Sequence, residues 1–506
     1  MRDRSLGWAL AAAAALSAAA FAPSGPARAD DGAEPPAVPL EEFRRLFRRP
    51  AAEDKAAAFR RLDPASPDAL PLLYDGLRFP HWLVRGAAAE RLARLADGPL
   101  RSQVRLDLLS HEETPVRGGI AYAFSIAAVA GDGEALAGAL SDRNPAVRRD
   151  SARALVHLPS RGALRALVEA LPREADPRVR VWILDALRRI SRADEGPDPA
   201  RWTAWWQAHK DDAQMQPPED APPERREFAG VKLDVVSVPS RRPVDGRPQL
   251  FVLSPLGWNH DSWRPHLDPL REMFTVHYIR LPSVRDLTGQ SGYGDSIPVY
   301  PVERLAKAFE ELRRARRVER VVLLAEGPAA WIAETYAMRY PDRSAGLVLV
   351  NAWIDADSYA AALRRMAELG DGDERAAARS LLGLDSSARD AAEDRWMART
   401  SLTHRLMDRS DLLGHLLWTR TRDEQGFCSV PPLRLDRHSR IETPALFLFP
   451  AGSPMSGHPE AQRVRDSFPK SLVAPLEDTR GLCWVDRHDE FHRIVKGFVD
   501  RFGLDR

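Results

Sequence analysis

The sequence has little cysteine, little lysine and almost no net charge, and these shortages exclude several classes of protein. Only two of the 506 residues are cysteine, Cys428 and Cys483, too few for a disulfide-rich scaffold or a cysteine-ligated zinc site. The sequence leaves open whether they form one bridge or remain free thiols. Lys+Arg is 73 and Asp+Glu is 72, so the net charge of +1 gives no electrostatic reason to expect nucleic-acid binding.

Long apolar runs are also scarce, and the one at the N-terminus has the pattern of a targeting signal. Residues 1–29 contain a basic start, an alanine-rich apolar run and the cleavage pattern Ala27-Arg28-Ala29. We therefore expect cleavage after Ala29 and a secreted or periplasmic protein without a stable membrane span. An uncleaved membrane anchor is the alternative, because the run is near the lower length limit for a span. Residues 30–39, rich in proline, alanine and acids, are expected to be a disordered linker.

A repeat with helical patterning occupies residues 40–210. Val-Arg pairs begin at Val84, Val116, Val147 and Val179, at spacings of 32, 31 and 32 residues. Each pair has a proline one to four residues upstream and a helix rich in small residues after it. A fixed period of this kind predicts an all-α solenoid, with proline in the first turn of the second helix of each pair.

Two of these repeats carry a more specific pattern. Asn144–Arg148 and Asp176–Arg180 both read Asn/Asp-Pro-x-Val-Arg, and on this pattern residues 40–195 resemble HEAT-like repeats. The resemblance implies that the repeated arginines tie neighbouring repeats together. It also implies that the solenoid binds a protein partner. Three tryptophans at helical spacing predict a helix that caps the last repeat: Trp202, Trp205 and Trp206.

The pattern changes after residue 210, which indicates a second domain. Residues 211–229 are rich in proline and charge and are predicted to be a linker. From residue 230 to 506, short apolar strands alternate with amphipathic helices, which predicts a doubly wound α/β domain with a mostly parallel sheet. The predicted strands are Val231–Val238, Gln249–Leu253, Thr275–Ile279, Val321–Ala325, Gly346–Asn351, Ala445–Phe449 and Ser471–Pro475.

This second half resembles the α/β-hydrolase family over its full length. Tyr340–Asn351 is similar to the family's YPERVxGLVLVN segment, and Thr443–Leu446 is similar to the start of its acid-bearing strand. Leu253–Trp263 is similar to its oxyanion loop, and Gly481–Phe498 to its C-terminal pattern. The resemblance implies an α/β-hydrolase fold in which the charged helical insertion 354–440 is the lid.

The resemblance fails at the catalytic residues. The family's G-x-S-x-G turn is Ala-Glu-Gly-Pro-Ala here, which puts Gly327 at the nucleophile position. Ser453 lies in the loop where the catalytic acid is expected, and that loop has no carboxylate. Leu482 stands where the histidine is expected, and a leucine side chain transfers no proton. The sequence therefore predicts that all three members of the triad are lost.

The oxyanion hole is predicted to be lost as well. Pro328 follows the nucleophile position and has no N–H to donate. The other oxyanion loop contains Ser254 and Pro255 without the family's His-Gly pair. Losing one donor typically lowers the rate about 100- to 1000-fold.

Several other residues could supply a relocated site. Glu326 could act as an acidic nucleophile if the alignment is displaced by one residue; otherwise it is a pocket-rim or salt-bridged carboxylate. His458 and Asp355 could form a rearranged pair, but no elbow serine accompanies them. Ser291, in a G-x-S run, is predicted in a loop rather than at an elbow.

A pair of histidines near the C-terminus has the spacing of a metal site. His488 and His492 are four residues apart, but the run His-Asp-Glu-Phe-His is not the H-E-x-x-H pattern. An ordinary surface of the terminal helix is the favoured interpretation. No metal site and no cofactor are predicted.

These observations predict an exported protein whose hydrolase-like domain is catalytically degenerate and serves binding or scaffolding. The vestigial pocket is expected to hold a small ligand. The alternative is an active esterase- or peptidase-like hydrolase with a relocated site. The residues predicted to line the pocket are Trp258, Glu326, Gly327, Trp353 and Trp484.

Overall fold

The computed structural model describes two compact units, a helical one up to residue 211 and an α/β one from residue 224. No helix among the described residues is both long and apolar enough to cross a bilayer. The predicted signal peptide and most of the linker 30–39 lie outside those residues. The described residues are 37–66, 68–211, 224–253, 264–280, 301–354, 356–369, 375, 378–379, 440–451, 461–477, 479 and 483–505.

The helical unit is a two-layer stack of antiparallel helix pairs, as the repeat predicts. Successive odd-numbered helices from α5 to α11 contact each other, and so do successive even-numbered helices from α4 to α10. The four Val-Arg pairs all lie in the first turn of the even-numbered helices. The helices are α1 Leu40–Phe47, α2 Ala52–Arg60, α3 Ala69–Arg78, α4 Trp82–Ala93, α5 Pro99–Ser110, α6 Thr114–Ile126, α7 Gly133–Ala139, α8 Pro145–Leu155, α9 Arg161–Ala170, α10 Pro177–Ser191 and α11 Pro199–His209.

Two of the four repeated arginines, Arg117 and Arg148, link neighbouring repeats, which is the role that the family resemblance implies. Arg117 donates to the His111 carbonyl at 2.8 Å and to the Asp142 carboxylate at 2.7 Å. Arg148, one repeat on, donates to the Asp142 carbonyl at 2.8 Å and to the Glu174 carboxylate at 2.7 Å. Each arginine thus ties the loop before its own helix to the loop of the next repeat.

The last helix of the stack closes its apolar core. Trp202 is fully buried, and its indole N–H donates to the Gly196 carbonyl at 2.9 Å. Trp205 and Trp206 are partly buried against the same core. These contacts agree with the predicted capping helix.

The α/β unit contains eight strands in the described residues, in the order β1-β2-β4-β3-β5-β6-β7-β8. Strands β3 to β8 run parallel, and the β1–β2 and β2–β4 pairs are antiparallel. This is the strand order of the α/β-hydrolase fold. The strands are β1 Glu224–Phe228, β2 Val231–Val238, β3 Gln249–Leu253, β4 Val276–Arg280, β5 Val321–Glu326, β6 Ser344–Val350, β7 Ala445–Pro450 and β8 Ser471–Leu476.

Helices α13 and α14 pack together and contribute to the core on one face of the sheet. The helices are α12 Arg264–Leu267, α13 Val302–Ala315, α14 Ala330–Arg339, α15 Ala356–Leu369, α16 Ala461–Ser467, α17 Cys483–Asp486 and α18 His488–Phe502. Helix α15 falls within the predicted lid 354–440, and most of that lid lies outside the described residues.

Strand β1 corrects the predicted domain boundary. Residues 211–229 are predicted to be a linker, but Glu224–Phe228 pairs with β2 as the outermost strand of the sheet. Its sequence, Glu-Arg-Arg-Glu-Phe, is charged because an edge strand faces solvent, so it lacks the apolar pattern by which the other strands were predicted.

Candidate functional site

The turn after β5 contains the predicted nucleophile position, Gly327, which has a positive φ. Strand β5 ends at Glu326, Gly327 begins a short 3₁₀ turn that includes Pro328, and α14 follows. Gly327 has φ +53°, the left-handed region that glycine adopts at little cost. A β-carbon at Gly327 would lie 3.9 Å from the Trp353 ring, which is an ordinary contact. The turn therefore has space for a side chain, and the backbone conformation is what favours glycine there.

A chain of three polar side chains converges beside this turn. Asn351, directly after β6, donates from Nδ2 to Oε1 of Glu326 at 2.9 Å. The Cys483 thiol donates to Oδ1 of Asn351 at 3.9 Å. Because β5 and β6 are parallel neighbours, their carboxyl ends bring Glu326 and Asn351 to the same edge of the sheet.

The electrostatics of this chain favour its uncharged form. The Glu326 side chain keeps partial exposure although protein surrounds its carboxyl group. Burial raises the pKa of Glu326 to about 8, against the opposing effect of the Asn351 hydrogen bond. Burial first, and then the charges of Glu326 and Asp486, raise the pKa of the Cys483 thiol. At neutral pH the site therefore holds a carboxylic acid and a thiol rather than two anions.

That protonation state limits the chemistry available at this edge. A nucleophilic cysteine needs a lowered thiol pKa, which Cys483 does not have. A neutral Glu326 is a poor nucleophile, and it is suited instead to donating a hydrogen bond to an uncharged acceptor.

The Trp353 ring lies beside the turn. The Trp331 indole N–H donates to the Trp353 carbonyl at 2.8 Å, which holds the segment after β6 against α14. Trp484 is buried with an exposed fraction of 1%. The structure thus brings together Gly327, Glu326 and Trp353 of the predicted pocket.

Asn351 and Cys483 were not predicted as site residues. The sequence signal for Asn351 is a polar residue directly after an apolar strand, and its φ of +50° is a conformation that asparagine tolerates better than most residues. Cys483 is a buried free thiol, and Cys428 lies outside the described residues. The other predicted site residues outside the described ones are Ser254, Pro255, Trp258, Ser291, Asp355, Ser453, His458 and Leu482.

The interpretation of His488 as a surface residue is wrong. His488 has an exposed fraction of 6%, and Nε2 of both His488 and His492 lies within 3.1 Å of the His266 carbonyl. Both imidazoles donate to that oxygen, so α18 is anchored to α12 through them. Burial lowers the pKa of His492 to about 3.

Comparison with known proteins gives a family match for the helical unit and similar solved structures for the α/β unit. Residues 133–200 match the family model for HEAT repeats. No curated protein matches the chain in sequence. Among solved structures, a proline iminopeptidase from Mycobacterium smegmatis is 15% identical, with 56% of this chain and 99% of that chain covered and a TM-score of 0.42.

Two further solved structures are similar over the same share of the chain. An epoxide hydrolase from Bacillus megaterium in complex with an inhibitor is 14% identical, covers 55% of this chain and 100% of its own, and has a TM-score of 0.36. A proline iminopeptidase-related protein from Thermus thermophilus is 22% identical, with 56% and 99% covered and a TM-score of 0.37. Because these scores are low, the fold assignment rests on the strand order. The chain is a HEAT-like helical region fused to an α/β-hydrolase fold.

Proposed function

We propose that this chain is an exported binding or scaffolding protein whose hydrolase-like unit is catalytically degenerate. The observation that carries the proposal is the turn after β5, where Gly327 has the left-handed backbone of a nucleophile turn but no side chain. The next residue, Pro328, has no N–H for an oxyanion. The turn therefore keeps its shape without a nucleophile or its adjacent donor.

The polar chain beside the turn supports the same proposal. Glu326 and Cys483 are the groups bonded to Asn351 that could attack a substrate, and both favour their protonated forms at neutral pH. A neutral acid, an amide and an aromatic surface suit recognition of a small uncharged ligand more than its cleavage. We therefore assign this edge of the sheet a ligand-binding role.

We assign the helical unit a protein-binding role and the first 29 residues an export role. The helical unit is a repeat stack, and such stacks commonly present extended surfaces to partners. Affinity capture from the exported fraction should return one stoichiometric protein. The N-terminal sequence of the exported protein should begin at Asp30; a sequence that begins at Met1 would contradict cleavage.

A hydrolase with a relocated site is the second candidate, favoured by one observation. Glu326 lies at the end of β5, is held by Asn351, and has partial access to solvent. If substrate binding shifted its proton to a neighbouring group, the carboxylate could attack an ester carbonyl.

A panel of short- and medium-chain p-nitrophenyl esters separates the two candidates. The full chain is compared with Glu326→Gln, which keeps the shape of the side chain, and with His458→Ala. We expect background rates that neither variant changes. Repeated turnover that either variant abolishes would overturn the degenerate assignment and identify the relocated site.

A further inference from the structure

Three polar side chains meet at the opposite edge of the sheet, at the amino ends of β3 and β4. Ser237 on β2 is paired directly with His277 on β4, and His277 is in turn paired with Phe251 on β3. Directly paired residues place their side chains on the same face, and residues two apart on a strand share a face. Gln249, two residues before Phe251, therefore lies on the face that carries Ser237 and His277.

Hydrogen bonds connect these three side chains in a line. Nδ1 of His277 lies 2.8 Å from Oγ of Ser237, and Nε2 of His277 lies 2.5 Å from Oε1 of Gln249. Because an amide oxygen only accepts, Nε2 carries the ring proton and donates to Gln249. Nδ1 is then the ring acceptor, and the Ser237 hydroxyl donates to it. This is the tautomer that a general base for a serine hydroxyl requires.

The exposure of Ser237 allows it to react with a reagent from solvent, while its neighbour His277 is buried. Ser237 is exposed, whereas His277 has an exposed fraction of only 4% and contacts the Phe251 ring edge to face. Burial, together with the positive charge of Arg316, lowers the pKa of His277 to about 4, so the imidazole is neutral and able to accept a proton at neutral pH. The Arg316 guanidinium is paired with Glu224, which keeps it near this edge.

We propose that Ser237 is a nucleophilic serine that accepts an acyl group from small activated esters, with His277 as its general base. In this step Oγ of Ser237 attacks the ester carbonyl carbon and its proton moves to Nδ1 of His277. The bond from the carbonyl carbon to the leaving-group oxygen then breaks. The leaving group takes the proton from His277 or departs as an anion, and an acyl ester remains on Ser237. Gln249 is a positioning residue, because it fixes the tautomer of His277.

The arrangement predicts acylation without rapid turnover. An imidazole with a low pKa is a weak base, so both the formation and the hydrolysis of the acyl ester are slow. Gln249 supplies no negative charge to stabilise the imidazolium that forms, unlike the aspartate of a serine hydrolase. The leaving group of an activated ester departs more readily than the Ser237 alkoxide does from the acyl ester, so hydrolysis is slower than formation. We therefore expect acylserine to accumulate to one group per chain. This site is separate from the turn at Gly327, and the inference does not depend on the function proposed there.

The test is acetylation of the full chain by p-nitrophenyl acetate at neutral pH. Tryptic cleavage releases Leu233–Arg241, which contains both Ser237 and Ser240, and fragment masses distinguish the two. Ser240 is the matched control, because it is buried and its hydroxyl donates to the Arg271 carbonyl at 2.9 Å rather than to a histidine. We expect acetylation at Ser237 and a single burst of p-nitrophenolate, both of which Ser237→Ala removes and Ser240→Ala retains.

Two variants examine the roles of the base and its positioning residue. His277→Asn should slow acetylation of Ser237 about 100-fold. Gln249→Glu places a carboxylate against His277, stabilises the imidazolium and should raise the rate about 10-fold or more. A gain of this kind cannot arise from misfolding, and thermal melting checks the fold of His277→Asn.

The proposal is overturned if Ser237 is acetylated no faster than Ser240. It is also overturned if a folded His277→Asn protein reacts at the original rate, or if Gln249→Glu leaves that rate unchanged. Failure of the function proposed for the Gly327 turn would look different: repeated turnover that survives Ser237→Ala and is lost in Glu326→Gln.

Discussion

Two buried carboxyl groups, Asp132 in the helical unit and Glu326 in the α/β unit, are accommodated in opposite ways. In the helical unit, Arg101 and Asp132 are both almost fully buried and bond to each other at 2.7 Å. Burial alone would raise the pKa of Asp132, but hydrogen bonds from Arg101, the Val129 N–H and Arg105 hold it below its ordinary value. In the α/β unit, burial raises the pKa of Glu326 to about 8, and its carboxyl group accepts from an amide rather than a cation.

This difference distinguishes a structural charge pair from a titratable group at a candidate functional site. Paired buried charges fix one arrangement of neighbouring helices, and the pair is neutral as a whole. Buried titratable groups that rely on amides, such as Glu326 and His277, have their pKa values moved toward neutral forms. Perturbed groups of this second kind concentrate at functional sites. The Arg101–Asp132 pair is therefore best examined by stability measurements, and Glu326 and His277 by reactivity and pH dependence.

Breaking the buried pair should give the largest effect. Arg101→Met leaves Asp132 buried beside Arg105 alone and removes the donors to the Leu95 and Ala127 carbonyls. We expect the free energy of unfolding to fall by about 3–5 kcal/mol, measured by urea unfolding followed by circular dichroism. The control is Arg165→Met, which removes an exposed ion pair to Glu169 and should have no resolvable effect. Equal losses in both variants would contradict the comparison.

The second prediction concerns the pH dependence of Glu326. Folded Glu326 keeps its proton up to about pH 8, whereas the unfolded side chain loses it near its ordinary value of 4.5. The folded state therefore binds more protons in this interval, and its stability falls as pH rises through it. Glu326→Gln removes this loss, so the variant should gain roughly 2–4 kcal/mol relative to the parent chain between about pH 5 and 8.

Urea unfolding at a series of pH values measures this gain. Glu319→Gln is the matched control, because Glu319 is exposed in the same unit. A constant difference between Glu326→Gln and the parent chain across the pH series would show that Glu326 is ionised when folded, and the contrast between Glu326 and Asp132 would then fail.

The third prediction concerns the backbone of the turn after β5. Gly327→Ala places a β-carbon where there is space, but at φ +53°, so the cost is conformational, about 1–2 kcal/mol. Gly497→Ala, in the exposed middle of α18, should instead stabilise by about 0.5–1 kcal/mol. Thermal melting of both variants provides the test, and a neutral Gly327→Ala would show that the turn is not held in the left-handed region.

Much of the fold could be predicted from the sequence, because it depends on local patterns. Strands such as β5 and β7 are buried on both faces and are continuous apolar runs, so their predicted bounds differ from those observed by one residue. Helix α10 begins at the predicted proline, and Asp176 caps it through the Arg178 N–H at 2.9 Å. Strand β1 was missed because its charged sequence carries no such pattern.

The site was less predictable, because its contacts join distant parts of the chain. Glu326 and Asn351 are 25 residues apart, and Asn351 and Cys483 are 132 apart. A serine next to a histidine on neighbouring strands, as for Ser237 and His277, depends on sheet register, and the antiparallel β2–β4 pairing is not evident from either strand alone. Local patterns place each residue on its element, but only the strand order brings these residues together.

The smallest predicted effect concerns the repeated arginines of the helical unit, which are Arg85, Arg117, Arg148 and Arg180. Arg148 meets a carboxylate 26 residues further on, at Glu174, which also accepts from the Asp176 N–H at 2.8 Å. The residue 26 positions after Arg85 is His111, which accepts from the Glu113 N–H at 3.1 Å in the same way. His111 thus serves the loop as Glu174 does, but without a fixed negative charge.

His111→Asp should therefore keep the loop contact and place a carboxylate at the position from which Glu174 accepts from Arg148. Arg85, which donates to the Pro80 carbonyl at 2.8 Å, is the arginine at the corresponding position. We expect a gain of about 0.5–1 kcal/mol in urea unfolding. His111→Asn is the control, since it can make the loop contact but carries no charge. In a double-mutant cycle with Arg85→Met the gain should vanish, because it arises from the new pair. A gain that persists without Arg85 would mean that the added carboxylate stabilises the start of α6 directly. The pairing of a repeated arginine with a carboxylate of the next repeat would then not extend to Arg85.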